Sequence, residues 1–460
     1  MPSMKREDLK RAKGKEICFL GKFDTFSKEE IERLLEEFDI KYSDEVSENS
    51  AIIIEGKVLS ALDEERSYEA YKRGALVFGY KDFEKFYSEN INPDSLLMSL
   101  KLSNNQDRIL RLLKNESIAD RLFLKVLRLY DWKEEGLMES DENRAVTSSF
   151  IKRFYKKERV YDPTVIYSPS SLYHIILSSD DPEVLESLLY FPDFRFTLSR
   201  KNRENPKTLF EALAANVAIN FETQKRLYMK NSEEIDRFLA LNEGVDRKLL
   251  NKLYERGSKI VRRNLAANNS INESLFEKLL SEDREIVEVL LEFQRIDNER
   301  LNKIRQKNLE DEIFASLGKN ENLSKDILRE LIKIENLDLL RNIASNRSVS
   351  ADILDALYRK SEDVDIALAS NPNSSIELLK KLFEREDRDI DIALAANISS
   401  PKEILDALYE RGDLEINKAL ATNESVEEDR LREFMLDSSL KPHLVKNRTF
   451  TESILRNLGI

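Results

Sequence analysis

A Leu-Ala-x-Asn signature returns down the C-terminal half of this chain. It ends at Asn216, Asn242, Asn268, Asn371, Asn397 and Asn423, with Ile343-Ala-Ser-Asn346 as a close variant. Most successive asparagines lie 26 residues apart; 346 to 371 is 25. The gap from 268 to 346 is 78, three periods, which places degenerate copies near Gln294 and Asn320. A fixed period in this range marks a stacked array in which each unit needs its neighbours to bury its apolar face. Arrays of this kind hold and bind more often than they catalyse.

Aligned on the asparagine, each copy reads as two helices. Apolar residues stand three and seven positions before the anchor, as in Leu265 with Val261 and Leu394 with Ile390, the spacing of one helical face. Alanine recurs two positions before it, at 214, 240, 266, 344, 369, 395 and 421, where a small side chain admits a neighbouring helix. A polar turn follows, such as Asn373-Ser-Ser375, and then a second apolar set: Leu249, Leu250 and Leu253; Ile353, Leu354 and Leu357; Leu378, Leu379 and Leu382; Ile404, Leu405 and Leu408. The asparagine closes the first helix. Asparagine tolerates the left-handed backbone of a helix end, and its amide can bond exposed backbone groups. The ladder Asn216, Asn242, Asn268, Asn346, Asn371, Asn397 and Asn423 is therefore read as structural, with peptide recognition in a groove as the alternative.

The apolar-x-x-x-Leu-Ala-x-Asn segment, polar turn and Leu-Leu-x-x-Leu helix resemble the leucine-rich repeat variant and the wider HEAT-like group. The expected fold is mostly α: a right-handed α-solenoid of ~26-residue two-helix repeats over 171–460. Some leucine-rich repeat variants carry a cysteine-bound iron–sulfur cluster. Cys18 is the single cysteine here, so that feature does not carry over.

Residues 14–89 have a different pattern. Strand-like runs at 14–21, 40–43, 51–55 and 76–79 alternate with amphipathic stretches at 28–38, 64–73 and 81–89, giving β-α-β-β-α-β-α. With Gly14-Lys15, Gly21, Val46-Ser47, the Ile52–Gly56 strand, Ala70, Arg73-Gly74 and Asp82-Phe83, this order resembles a BRCT domain. The resemblance implies a small α/β domain with a four-stranded parallel sheet that binds proteins, phosphopeptides or DNA ends. The family's glycine pair after the first helix is replaced by Phe38-Asp39, and Phe83 or Phe86 must fill the place of its tryptophan. Phosphate binding in the family uses Ser or Thr before the turn glycine and a Lys early in the second helix. Leu20 holds the first position here; Glu69 or Ala70 falls near the second, with Arg66 as the basic candidate one turn earlier.

The expected organisation is thus 1–92, a BRCT-like domain; 93–170, a helical connecting segment; and 171–460, the repeat array. The formal charge of −13 divides as −6 over 1–100, +3 over 101–170 and −10 over 171–460. An acidic array is a poor general glove for nucleic acid, whose affinity rests on neutralising phosphates. Basic residues interleaved with aromatics in Lys152, Arg153, Lys156, Lys157 and Arg159, and the run Lys5 to Lys15, are the candidate nucleic-acid contacts. The alternative is a helix that turns Phe154 inward and docks its basic side on the acidic array. His174 and His443 lack partners at metal-ligand spacing, and the sequence holds neither a glycine-rich phosphate loop nor a nucleophile elbow. No catalytic residue, metal or cofactor is expected. The expected function is a cytoplasmic, non-catalytic protein-binding adaptor or scaffold without a membrane span. A DNA- or RNA-associated repair or maintenance factor, binding nucleic acid weakly, is the alternative.

Overall fold

The computed structural model describes residues 4–23, 25–155, 168–196 and 206–457. It is mostly helical, with one parallel sheet near the N-terminus. Backbone packing divides the chain into two units, Met1–Phe238 and Leu239–Ile460, with the anchors Asn216 and Asn242 on either side of the division.

In the first unit, β1 (Glu16–Leu20), β2 (Lys41–Ser43), β3 (Ser50–Glu55) and β4 (Leu76–Gly79) pair in parallel in the order β2-β1-β3-β4. Ile17 to Leu20 and Ile52 to Ile54 are all buried. Continuous apolar strands of this kind require cover on both faces of a parallel sheet. Cys18, Leu20, Ile53, Ala70 and Ala75 form one cluster. Phe19 meets Phe83 edge-on at 4.9 Å and stacks on Tyr42 at 4.8 Å.

Helix α1 (Arg6–Arg11) precedes the sheet, and α2 (Lys28–Glu36), α3 (Ala61–Lys72) and α4 (Tyr80–Asn90) pack on its strands. Ser27 and Glu30 close α2 with a reciprocal capping box. Helix α1 forms where the sequence suggested only a basic run. Its Leu9 is fully buried, so the Lys5–Lys15 segment is part of the fold. Phe83, Phe86 and Tyr87 of α4 are all buried. Asp39 stands at φ 59°, a left-handed residue at the position of the family's glycine pair, and its carbonyl accepts the Gly14 N–H at 2.7 Å.

Helices α5 (Pro93–Ser103), α6 (Gln106–Lys114), α7 (Asp120–Leu127) and α8 (Asp141–Phe154) follow. Helix α6 is tied to α2 by the Arg108–Glu30 ion pair, while Asn115 donates to Thr25 Oγ1 at 2.7 Å and Glu84 Oε2 at 2.9 Å. Trp132 packs among rings, 5.0 Å from Tyr130 and 4.5 Å from Phe191.

The second unit is built from repeated helix pairs. First helices such as Leu337–Ser345, Glu362–Ser370, Arg388–Ala396 and Leu414–Thr422 each pack on the next in the series. The second helices, among them Ile376–Phe383 and Lys402–Glu410, bury the apolar sets expected from the sequence. This helical region fits a solenoid. The recurrent alanines at 240, 266, 344, 369, 395 and 421 are all fully buried.

The copy anchored at Asn320 has Gly318 in place of that alanine and a 3-10 turn, Ser316–Lys319, in place of the last helical turn. A Cβ at Gly318 would lie 2.7 Å from the Leu339 carbonyl oxygen and 2.8 Å from Asn342 Cβ. Gly318→Ala is therefore expected to force the backbones apart and to lower stability by about 1–3 kcal/mol, read by urea denaturation. At the end of the array the helix Arg448–Asn457 is anchored by Phe450, which is buried. Leu455 of the same helix is exposed.

Candidate interaction sites

The ladder positions share one geometry. Asn397 is buried; its Nδ2 donates to the Ala369 carbonyl at 2.7 Å and to the Asn371 carbonyl at 3.0 Å, while its Oδ1 accepts the Ser399 N–H at 2.9 Å. Asn268, Asn346, Asn371 and Asn423 repeat the pattern, each donating to the anchor of the preceding repeat and to the residue two positions before that anchor. Of the degenerate copies, Gln294 keeps it, donating to Ala266 and Asn268, while Asn320 donates to Gln294 and to Leu291, three positions before that anchor. In the first unit Asn216 donates to Ile176 and Ser179. Asn242 is buried as well.

The backbone reason for asparagine needs correcting. Asn216, Asn268, Asn346, Asn371, Asn397 and Asn423 are extended, with φ between −75° and −85° and ψ between 113° and 125°, and none is left-handed. The amide explains the residue instead. A primary amide supplies two donors to the unpaired carbonyls at a helix end and one acceptor to the turn that follows.

Two further recurrences escaped the sequence reading. At the second position after the anchor, Ser270, Asn373, Ser399 and Ser425 bond carbonyls of the preceding turn: Glu243, Arg347, Pro372 and Ile398 respectively. The polar residues were visible, but their periodicity was obscured by the choice between Ser and Asn. Ion pairs also recur between residues 20 apart. Buried Asp365 and Asp391 bond Arg385 and Arg411, and in an earlier repeat Arg262 meets Glu282 at 3.2 Å with the signs reversed. Burial pushes the Asp391 carboxyl above the usual carboxylate range, and Arg411 pulls it back only in part. Its Oδ1 is buried and accepts no protein hydrogen bond.

Of the candidate nucleic-acid contacts, Lys156, Lys157 and Arg159 lie outside the described residues. Lys152 ends near α8's C-terminus and meets Glu116 at 3.0 Å. Arg153 is not a free surface cation. It donates to the Ile118 carbonyl at 2.9 Å and the Asn115 carbonyl at 2.6 Å, and pairs with Asp120 at 2.7 Å. Lys152 and Arg153 thus meet acids close to α7, Glu116 in the turn before it and Asp120 at its start; the rest of the stretch expected to dock on the acidic array lies outside the described residues. Phe154 does face inward, 4.8 Å from Phe150 and 6.2 Å from Phe123.

In the head, Leu20 and Ala70 are buried in the same apolar cluster. Arg66 is exposed and 3.9 Å from Asp63, and Ser67 donates to Glu55 Oε1 at 2.7 Å. Cys18 is fully buried, and burial pushes its thiol up to about 12, far from a reactive thiolate. Among the described residues no group of three or more His, Cys, Asp and Glu side chains could hold a metal, and no helix is long and apolar enough to cross a membrane.

With the sheet order, the covering helices and the turn at Gly21 in place, residues 10–73 match the family of the BRCA1 C Terminus (BRCT) domain. Residues 10–73 are a BRCT domain. No curated protein and no solved structure matches the chain. BRCT domains are in general non-catalytic modules that bind proteins or phosphopeptides and sometimes DNA. In this BRCT domain the position that would hold a phosphate-binding hydroxyl carries a leucine packed into the core.

Proposed function

We propose that the chain is a non-catalytic adaptor: the BRCT domain engages one protein, and the repeat array, read as leucine-rich repeat variant or HEAT-like, presents a surface to another. The BRCT domain carries this reading, since its family works by interaction rather than catalysis. The array supports it. Its conspicuous polar residues are engaged in holding one repeat to the next, which leaves side chains on the solvent faces to meet a partner. Affinity capture of the full chain from its host, followed by reconstitution of the captured protein with purified chain, tests the adaptor. A chain that retains no protein above a charge-matched control argues against it.

The head contact is phosphate-independent in this proposal. A phosphoryl dianion at the family's pocket would meet the buried Leu20 side chain, with Glu55, Asp63 and Glu69 on the adjoining strand and helix, and a carboxylate beside a phosphate is repulsive. A phosphopeptide library screened against the full chain is expected to show no preference for phosphorylated over unphosphorylated forms at this pocket. Phosphate-dependent hits that disappear in Arg66→Ala would overturn the expectation.

A further inference from the structure

A cleft of ≈ 450 Å³ opens between the BRCT domain and α6. One wall comes from the segments that leave the sheet: Thr25 after β1, Lys57 after β3, and Tyr80 and Lys81 after β4. The carboxyl ends of parallel strands are where open α/β sheets take their ligands. The other wall is Leu110, Arg111 and Lys114 of α6, with the Asn115–Ser117 turn. Four cations thus surround one cleft in a chain whose formal charge is −13.

Two carboxylates share the lining, and both are engaged. Glu84 is buried and accepts from Asn115 Nδ2; Glu116 is bonded by Lys152, which holds its carboxyl below the usual range. Lys81, Arg111 and Lys114 are exposed, and among the described residues none of the three forms an ion pair. The Lys57 ammonium lies over the Tyr80 ring, 5.6 Å from its centroid.

We propose that this cleft docks an acidic, carboxylate-rich peptide segment of a partner protein. The inference deepens the adaptor reading and rests on it, naming the chemistry of the segment the head receives. Several observations favour carboxylates over phosphates. Nucleic-acid affinity requires many phosphates to be neutralised along an extended track. Here Lys152 and Arg153, which would prolong the track past Lys114, are bonded to Glu116, to Asp120 and to backbone carbonyls. A phosphoryl dianion concentrates its charge on one group in a cleft also lined by Glu84 and Glu116, whereas the charges of a carboxylate-rich segment are spread out and can each take one lysine or arginine. The hydroxyls of Thr25 and Ser117 and the Asn115 amide are polar groups suited to the backbone of an extended peptide.

The test uses the full chain and fluorescence anisotropy with a labelled octa-glutamate peptide, its glutamine counterpart, a phosphoserine peptide, and single- and double-stranded oligonucleotides. Octa-glutamate is expected to bind, to weaken as salt rises, and to outcompete the glutamine peptide. The triple variant Lys81→Glu, Arg111→Glu, Lys114→Glu is expected to weaken it about tenfold or more, since three exposed charges reverse together. Its thermal melt should match the parent. The charge-matched triple Lys10→Glu, Arg11→Glu, Lys13→Glu on and beside α1 should leave binding unchanged.

Equal losses in the two triples would reduce the effect to net charge and overturn the site. Tighter binding of an oligonucleotide or the phosphoserine peptide, lost in the cleft triple alone, would replace the acidic peptide as the occupant. The same triple separates this inference from the adaptor. Octa-glutamate binding that survives the cleft triple sinks the cleft and leaves the adaptor standing. Octa-glutamate binding by a chain that captures no partner sinks the adaptor and leaves an anion-binding cleft.

Discussion

Replacing Asn397 by alanine is expected to destabilise the full chain by about 2–4 kcal/mol, by aspartate more, and by glutamine about 1 kcal/mol. Alanine removes two donors and one acceptor from a site where all three partners are buried or half-buried backbone groups. Aspartate keeps the shape but puts a carboxylate oxygen in the place of Nδ2, against two carbonyls, so repulsion and the burial of charge add to the lost bonds. Glutamine is the conservative change because the chain already uses it. Gln294 reaches Ala266 and Asn268 at 2.9 and 2.8 Å, with its own oxygen taken by Arg300. No arginine occupies the corresponding place after Asn397, so one bond is still lost there. Denaturation in urea followed by far-ultraviolet circular dichroism gives the order Asp, Ala, Gln from most to least damaging. Were Asn397→Ala as stable as the parent yet unable to capture a partner, the ladder would be a peptide-recognition device and not a staple between repeats.

Arg411→Ala is expected to cost about 2–4 kcal/mol, because it strands Asp391 as a buried, unpaired carboxylate. The lower part of the range reflects the partial exposure of Arg411. The deficit should depend on pH in a definite direction. Burial raises the Asp391 carboxyl in the fold, and removing Arg411 removes the pull that opposes it. A group whose folded pKa is raised binds its proton more tightly when folded. The stability associated with it is present at low pH and is lost as pH rises through the folded value. The gap between Arg411→Ala and the parent should therefore narrow as pH falls from neutrality toward the ordinary carboxylate range. A gap that widens on acidification would mean that the carboxyl is stabilised as the anion by something other than Arg411. The pair is also replaceable: Leu340 and Phe314 stand at the equivalent helix position in earlier repeats, so Asp391→Leu combined with Arg411→Leu should recover most of the loss.

The two variants act on different parts of a repeat. Asn397 fastens one repeat to its predecessor, through bonds 26 and 28 residues long in sequence. Asp391 and Arg411 fasten the first helix of a repeat to the end of its own second helix, 20 residues on. Stability in a stacked array is a sum of terms within repeats and between neighbours. The Asn397 series reads a between-neighbour term and the Arg411 series a within-repeat term. Their combination should be close to additive if these contacts do not share a helix distortion.

Local chemistry made much of this molecule readable. The seven- and four-residue spacings around each asparagine fixed two helices per repeat, because an apolar stripe at helical period has no other way to be buried. The runs at 14–21 and 51–55 read as strands, and they are β1 and β3, the central pair of the sheet. Even the degenerate copies at Gln294 and Asn320 were predictable from arithmetic on the period.

Other features depended on residues far apart in the chain. The sequence could show that asparagine recurs, but the left-handed turn inferred for it was wrong, since the amide's real partners lie a full repeat away. The buried ion pairs were hidden for the same reason: an acid and a base 20 residues apart carry no local signal, and reversal of sign between repeats erases the pattern. Arg153 read as part of a basic surface stretch until the fold brought the carbonyls of Asn115 and Ile118 to it. The cleft between the head and α6 is the clearest case. Lys57, Lys81, Arg111 and Lys114 are unremarkable in sequence, and they converge only because parallel strands deliver their exits to one edge of the sheet, where α6 is tied down by Arg108 and Asn115. Periodicity is a property of neighbouring residues and so is written in the sequence. Which charges meet is set by the packing of elements, and only the tertiary structure decides it.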